Sequence, residues 1–323
     1  MPASTPDTAD TAFVEAAFVE VAGGLRFPEG PVALADGTFL VVEIAGKTLT
    51  HIAADGTLTV IADLGGGPNG AAIGPDGRCY VCNNGGISFY ERDGKFLPGY
   101  PPDDYAGGWI EAVDLQTGNV ERLYYACDGV PLKAPNDLVF DDAGGFWFTD
   151  IGKQYRGKRE RDLGTLYYAK ADGSLIREAL FPLDGPNGVG LSPDGKTVYV
   201  AESYTGRVWA FDIESPGQLR DYSGRPPWRR GRLHWAASHY AMLDSLAVDA
   251  ENNVYVGDIP MGGISVISPE GERIEQIRVP DELTTNICFG GDDRRAMFIT
   301  MSSTGRLVRV DGPRAGLRLN YEQ

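Results

Sequence analysis

Histidine and cysteine are scarce in this chain, with three and four residues in 323. So few cysteines exclude a disulfide scaffold. Cys79 and Cys82 have CxxC spacing, but on a strand residues three apart face opposite sides. They read as buried free thiols, not as a redox or zinc pair. Positive charge is also short: 29 Lys and Arg against 45 Asp and Glu leave a net charge of −16. Such a surface repels phosphate backbones and anionic membranes, so neither nucleic acid nor membrane is an expected partner. The first twenty residues hold no Lys or Arg, unlike a secretory leader, and no apolar run approaches membrane-spanning length. A cytoplasmic location is the expectation. Sustained helical periodicity is missing throughout. So are a GxSxG elbow, an HExxH helix and a glycine-rich phosphate loop between strand and helix.

What the chain does have is one phrase written six times. The copies begin at Pro28-Glu29-Gly30, Pro68-Asn69-Gly70, Pro135-Asn136-Asp137, Pro186-Asn187-Gly188, Leu243-Asp244-Ser245 and Thr285-Asn286-Ile287. Each is followed by a short apolar run, a turn rich in Asp and Gly, and a second run such as Phe39–Val42 or Phe146–Thr149. The marker residues recur about every 51 residues, within the range of propeller blades and too long for leucine-rich or ankyrin repeats. The first copy contains four strand signals, Pro31–Leu34, Phe39–Glu43, Thr48–Ala53 and Thr57–Ala62, with Asp55-Gly56 as a hairpin turn. Four strands make one blade. The predicted fold is therefore all-β: a single domain over residues 1–323, folded as a six-bladed β-propeller of four-stranded blades. The segment Phe18–Ala22 is expected to complete the last blade and tie the termini together, with residues 1–12 as a flexible arm.

In a propeller, the innermost strands surround a central channel, so six equivalent side chains can aim at one axis. Glu29, Asn69, Asn136, Asn187, Asp244 and Asn286 all bear oxygen. The second strands end in Glu43, Asn83, Asp150, Glu202, Asp258 and Met301, which predicts a second polar ring at the same mouth. Taken singly, each Asn or Asp is an ordinary turn residue satisfying a backbone group. As a set of carboxylates and amide carbonyls without His or Cys, they suit a hard divalent cation such as Ca²⁺, Mg²⁺ or Mn²⁺.

Four phrases closely resemble the SMP-30/gluconolactonase family of six-bladed propellers: Phe27-Pro28-Glu29-Gly30-Pro31, Pro135-Asn136-Asp137-Leu138, Gly185-Pro186-Asn187-Gly188 and Asp244-Ser245-Leu246-Ala247-Val248-Asp249. Phe148-Thr149-Asp150 is similar to a phrase of its bacterial lactonase branch, and the likeness runs from about residue 20 to 310. The resemblance implies one divalent metal held by Glu29, Asn136, Asn187 and Asp244, with Asp244 also the general base. Calcium is the expected ion, with Mg²⁺, Mn²⁺ or Zn²⁺ as alternatives. The implied reaction is hydrolysis of a small-molecule lactone or ester, related members acting on organophosphates. Family members that open sugar lactones often carry an Arg two residues before the first Asn; here Ala134 stands there, which argues against a sugar-acid lactone.

Such an ion can polarise an ester carbonyl and acidify a water. Asp244 then accepts the water's proton or, in a rival scheme, attacks directly. Asn69, Asp150, Tyr155, Tyr204, His239 and Asn286 are the candidate substrate-binding residues, His239 being either pocket lining or surface loop. Two insertions, 97–108 and 215–240, interrupt the regular blades. The second is rich in Trp, Tyr and Arg and is a candidate lid. Alternatives to the lactonase are a phosphotriesterase-like hydrolase with the same site, and a non-catalytic metal-binding or scaffold propeller.

Overall fold

The computed structural model describes residues 13–15, 17–221 and 231–322. The expected N-terminal arm, residues 1–12, lies outside them. Six sheets follow one another around an axis, each built on an antiparallel meander; in one of them Phe13–Glu15 adds in parallel beside Arg273–Arg278. Blade 1 comprises Pro28–Ala33, Phe39–Glu43, Thr48–Ile52 and Leu58–Asp63. The first strands of blades 2 to 6 are Pro68–Ile73, Pro135–Phe140, Pro186–Leu191, Met242–Val248 and Thr284–Gly290. In blade 6 the outermost strand is Val19–Ala22, paired antiparallel with Arg306–Asp311. The last blade thus joins an N-terminal strand to the last strand of the chain.

Propeller blades stack face to face, so their middle strands are covered on both sides. This explains why the second runs are apolar throughout instead of alternating: all five residues of Phe39–Glu43 and all six of Gly145–Asp150 are buried. Within the latter, Phe146 and Phe148 pack towards blade 2, and Trp147 packs towards blade 4. Cys79 and Cys82 part in the same way, into the two interfaces of blade 2. All four cysteines are buried free thiols. Truncating a buried Phe or Trp of these interfaces to Ala typically costs about 3–5 kcal/mol.

The first strand of every blade carries a register break beside its marker. In blade 1 the pairing moves from Glu29↔Val42 to Val32↔Leu40, three steps against two. The same extra residue appears in blades 2, 3, 4, 5 and 6. A β-bulge re-aims a side chain out of the regular alternation. The sequence placed the first strand of blade 1 at Pro31–Leu34. The observed strand begins three residues earlier and includes the marker at its bulge.

The glycines beside the markers have a steric reason. A Cβ on Gly70 would lie 2.6 Å from the Asn136 carbonyl oxygen, and one on Gly188 would lie 2.5 Å from the Leu246 nitrogen. Neighbouring first strands approach too closely there for any side chain. The far end of the channel is covered by the C-terminal segment. Leu317 N donates to Val248 O at 3.0 Å, and Asn320 Nδ2 donates to Phe140 O at 2.9 Å. The Tyr321 ring meets Phe140 edge-on. A site on the axis is therefore approached from the marker end.

Candidate metal centre

At the marker end the structure has a cavity of about 790 Å³, lined by Glu29, Asn69, Asn136, Asn187 and Asp244 together. Five markers from five blades, up to 215 residues apart (29 to 244), thus share one space. The sixth, Asn286, stands behind Glu29. Its Nδ2 donates to Glu29 Oε2 at 2.9 Å, while its Oδ1 accepts the Ile287 N–H at 2.7 Å. Its oxygen is consumed locally, so it orients Glu29 and offers no ligand atom.

The two central amides are held differently. Asn187 Nδ2 donates to Ser203 Oγ at 3.2 Å, and Ser203 Oγ donates to Leu243 O at 2.6 Å. Because the serine proton goes to a carbonyl, the serine oxygen can only accept from the amide, which fixes which end of Asn187 is which. Asn187 Oδ1 is buried without a hydrogen-bond partner, and so is Asn136 Oδ1. Leaving a buried acceptor unsatisfied costs about 1–3 kcal/mol.

Two carboxylates accompany these orphaned oxygens. Burial raises Glu29 above the usual carboxylate range; burial and then the charge of Glu29 raise Asp244 well above it. Asp137, just beyond on the axis, is pushed up to about 7 by burial and by Glu29. No set of three His, Cys, Asp or Glu side chains forms a metal cluster among the described residues. The candidate donors are instead two carboxylates and two amide carbonyls. Converging acceptors with no donors among them fit a hard cation: it would take the lone pairs of Asn136 and Asn187 and offset both carboxylates.

The second polar ring is not channel lining. Asp150 Oδ1 accepts the N–H groups of Ala134 at 2.7 Å and Gly152 at 3.0 Å, and Oδ2 accepts that of Lys133 at 2.7 Å. Glu43 accepts the Arg26 N–H, Asn83 the Gly67 N–H, and Glu202 the Asp184 N–H. In four blades, then, the end of the second strand clamps the backbone two or three residues before the marker. The expected wall position of Asp150 is thereby corrected: both its oxygens are occupied by backbone, and its role is to position Asn136.

The other expected binding residues divide. Tyr204 lies on the cavity wall with the Arg161 guanidinium 4.2 Å from its ring centroid. Tyr155 stands away from the wall, donating to Asp162 at 3.2 Å and meeting Tyr105 edge-on. His239 is likewise off the wall, with Nε2 at 3.1 Å from Asp258 Oδ2. The described residues of 215–240 line no part of the cavity either. Arg232–Ala236 forms the outer strand of blade 4, where Trp235 joins the core, and residues 222–230 lie outside the described part.

Part of the wall comes from blade 2, where the excursion begins ahead of the expected insertion at 97–108. A hairpin, Phe89–Arg92 with Lys95–Pro98, leaves blade 2 and crosses blade 1. Phe96 N donates to Ser303 O at 2.8 Å, and Phe89 packs on Phe27 at 4.9 Å. Tyr90, Pro98, Tyr100 and Pro101 from this excursion line the cavity, as do Asn84 and Lys153. None of these six was singled out in the sequence as a binding residue. Only the length of the insertion signalled that part of the wall.

Comparison with known proteins agrees with this architecture. The profile of the SMP-30/gluconolactonase/LRE-like region matches residues 27–303. A gluconolactonase of Zymomonas mobilis is 26% identical over 314 residues, covering 90% of this chain and 80% of that protein. The lactonase drp35 of Staphylococcus saprophyticus is 28% identical over 252 residues, covering 76% and 67%. Among solved structures, a gluconolactonase from Xanthomonas campestris superposes with a TM-score of 0.71 at 23% identity, covering 96% of this chain and 94% of that one. Regucalcin from Agrobacterium tumefaciens, a calcium-binding protein, superposes with a TM-score of 0.72 at 19% identity, covering 95% and 100%. With the profile spanning the first blade to the last, the chain belongs to the SMP-30/gluconolactonase/LRE-like family.

Proposed function

We propose that this protein is a divalent-metal-dependent lactonase, with Glu29, Asn136, Asn187 and Asp244 as metal ligands and Asp244 as general base. The carrying observation is the pair of unpartnered carbonyl oxygens, Asn136 Oδ1 and Asn187 Oδ1, beside two buried carboxylates in one cavity. Lactones are the substrate class because the relatives that match over most of this chain bear the names gluconolactonase and lactonase. Calcium is the first candidate, from the all-oxygen donor set and the calcium-binding regucalcin fold relative.

When bound, a divalent cation supplies Lewis-acid polarisation of the ester carbonyl and lowers the pKa of water in the site. The protein's own contribution is positional and protolytic. Ser203 and Asn286 lock the orientations of Asn187 and Glu29, so the acceptor geometry precedes ligand binding. Asp244 lies at the cavity floor and takes a proton from the attacking water as its oxygen bonds to the acyl carbon. The ring C–O bond then breaks, the alkoxide takes up a proton, and a hydroxy acid leaves. General-base help of this kind is worth roughly 10²–10⁴-fold. The apolar wall of Ile44, Ile87, Met242, Ile259 and Leu283 surrounds the reacting ester.

The test is a panel of a five-membered lactone, an aryl ester and a phosphotriester, assayed with and without chelator. Lactone opening that stops with chelator and returns with calcium supports the reading. Activity indifferent to chelator removes the metal, and preference for the phosphotriester reassigns the chemistry. No turnover by calcium-loaded protein would make this a binding propeller.

A further inference from the structure

The unpartnered atoms of Asn136 and Asn187 are acceptors. Elsewhere on the same cavity wall, on the loops following the second strands of blades 2 and 3, the under-satisfied groups are donors. Lys153 is 7% exposed, and its Nζ has a 2.9 Å bond to Gly86 O and a long 3.4 Å one to Asn84 Oδ1. Tyr105 lies 5.1 Å from it, centroid to nitrogen. No Asp or Glu among the described residues forms an ion pair with it. The carboxylate that acts on it electrostatically, Asp150, spends both oxygens on three backbone N–H groups. An ammonium with three protons is thus buried with one good bond and no counter-charge, a condition that costs several kcal/mol unless something compensates it.

Asn84 completes the pattern. It is 1% exposed; its Oδ1 accepts the Gly86 N–H at 2.9 Å as well as the Lys153 ammonium. Two donors on one atom fix the amide orientation, since the flipped form would set an NH₂ against both. That leaves Asn84 Nδ2 buried without any acceptor, on a residue that lines the cavity. The rim beyond is positive too. Residues 153–161 hold Lys153, Arg156, Lys158, Arg159 and Arg161 against Glu160 alone, in a chain of net charge −16. Arg156 also lines the cavity.

We infer that Lys153 and Asn84 form a carboxylate-binding subsite, so that the substrate is a lactone carrying a carboxylate. The anion takes the free ammonium proton and the Asn84 amide N–H, and the basic rim raises its local concentration. One charge and two donor groups match a planar two-oxygen monoanion. The inference rests on the lactonase reading for the ring it assigns, but the anion subsite itself can be tested without turnover. Burial lowers the Lys153 pKa to about 7; a bound carboxylate favours the protonated form.

Pyroglutamate supplies the test: a five-membered lactam with a carboxylate and no ester to cleave. Its binding, measured calorimetrically on the calcium-loaded protein, is compared with that of its amide and of inorganic phosphate. Pyroglutamate is expected to bind at least about tenfold tighter than the amide, the size of one charge-assisted bond. Lys153→Met brings the two together. Asn84→Asp, which places the missing anion in the protein itself, weakens pyroglutamate by more than about tenfold and covers the case in which Lys153→Met fails to fold. In turnover, a γ-butyrolactone carboxylate is preferred over its amide in kcat/KM by a similar factor, and the ratio falls towards one in Lys153→Met.

Equal affinity of wild type for acid and amide overturns the inference, as does a preference that survives Lys153→Met. Phosphate binding as tight as pyroglutamate and dependent on Lys153 overturns the carboxylate assignment. Lactone hydrolysis without acid preference sinks this inference alone. Lys153-dependent binding of pyroglutamate by a protein that opens no lactone sinks the lactonase reading and leaves the subsite standing.

Discussion

Stripping the metal should destabilise the whole propeller, and the size of the effect can be worked from the site. Without a cation, Asn136 Oδ1 and Asn187 Oδ1 are two buried acceptors with nothing to accept, each worth about 1–3 kcal/mol. Glu29 and Asp244 are two buried carboxylates, both raised by burial, and Asp244 also by the charge of Glu29. A ligand at a hundred times its Kd contributes about 2.7 kcal/mol to folding. Each kcal/mol moves the Tm of a domain somewhat smaller than this by roughly 2–4 °C. Thermal unfolding of chelated protein, followed by fluorescence while CaCl₂ is titrated in, should therefore show a rise of roughly 5–10 °C. The double variant Glu29→Gln/Asp244→Asn removes both buried charges and keeps oxygens for the Asn286 and Gly30 donors. It should melt above chelated wild type and ignore calcium. A wild type indifferent to Ca²⁺, Mg²⁺, Mn²⁺ and Zn²⁺, or a double variant that melts lower and still responds, would refute the four-ligand reading.

Three further outcomes follow from named contacts. Asp150→Ala frees three backbone N–H groups and unclamps the approach to Asn136; a loss of about 1–3 kcal/mol in urea unfolding is expected, with weaker metal affinity. Unchanged values for both would deny its clamping role. Lys153 has its pKa lowered from the usual lysine value to about 7 by burial, so the folded chain binds its proton less tightly than the unfolded one. Its penalty is complete below pH 7 and fades as pH rises towards the unfolded value. Lys153→Met should accordingly stabilise the ligand-free protein by an amount on the order of a few kcal/mol at pH 6 and by much less at pH 10. A pH-independent difference contradicts that. Replacing residues 89–98 with a short Gly-Ser link removes the wall that carries Tyr90 and Pro98 and its bond to Ser303. KM for a lactone should rise roughly tenfold with kcat changed less, as expected when uniform binding is lost. A fall in kcat alone would assign the hairpin another role.

The repeat phrase carried the fold because each blade meets the same demands. The first strand needs a glycine where blades crowd, as at Gly70 and Gly188. The second strand needs apolar residues on both faces, as in Phe146-Trp147-Phe148. The same phrase marked Glu29, Asn136, Asn187 and Asp244. It overcounted, however, since Asn286 and Asp150 share the residue types but spend their oxygens on local partners. Sequence cannot separate a satisfied amide from an orphaned one when the satisfying atom is a backbone group folded against it.

The chain by itself determined that six blades form and which oxygen-bearing residue marks each of them, because local patterning and close packing act within one repeat and its neighbour. Tertiary structure alone decided which of those oxygens stay unpartnered, and that the 89–98 hairpin, and not the described residues of 215–240, walls the cavity. It alone brought Asn84 and Lys153, 69 residues apart, into one hydrogen-bonded pair. Those outcomes depend on contacts between blades and on the loss of water around each atom, and neither quantity is written at any single position in the sequence.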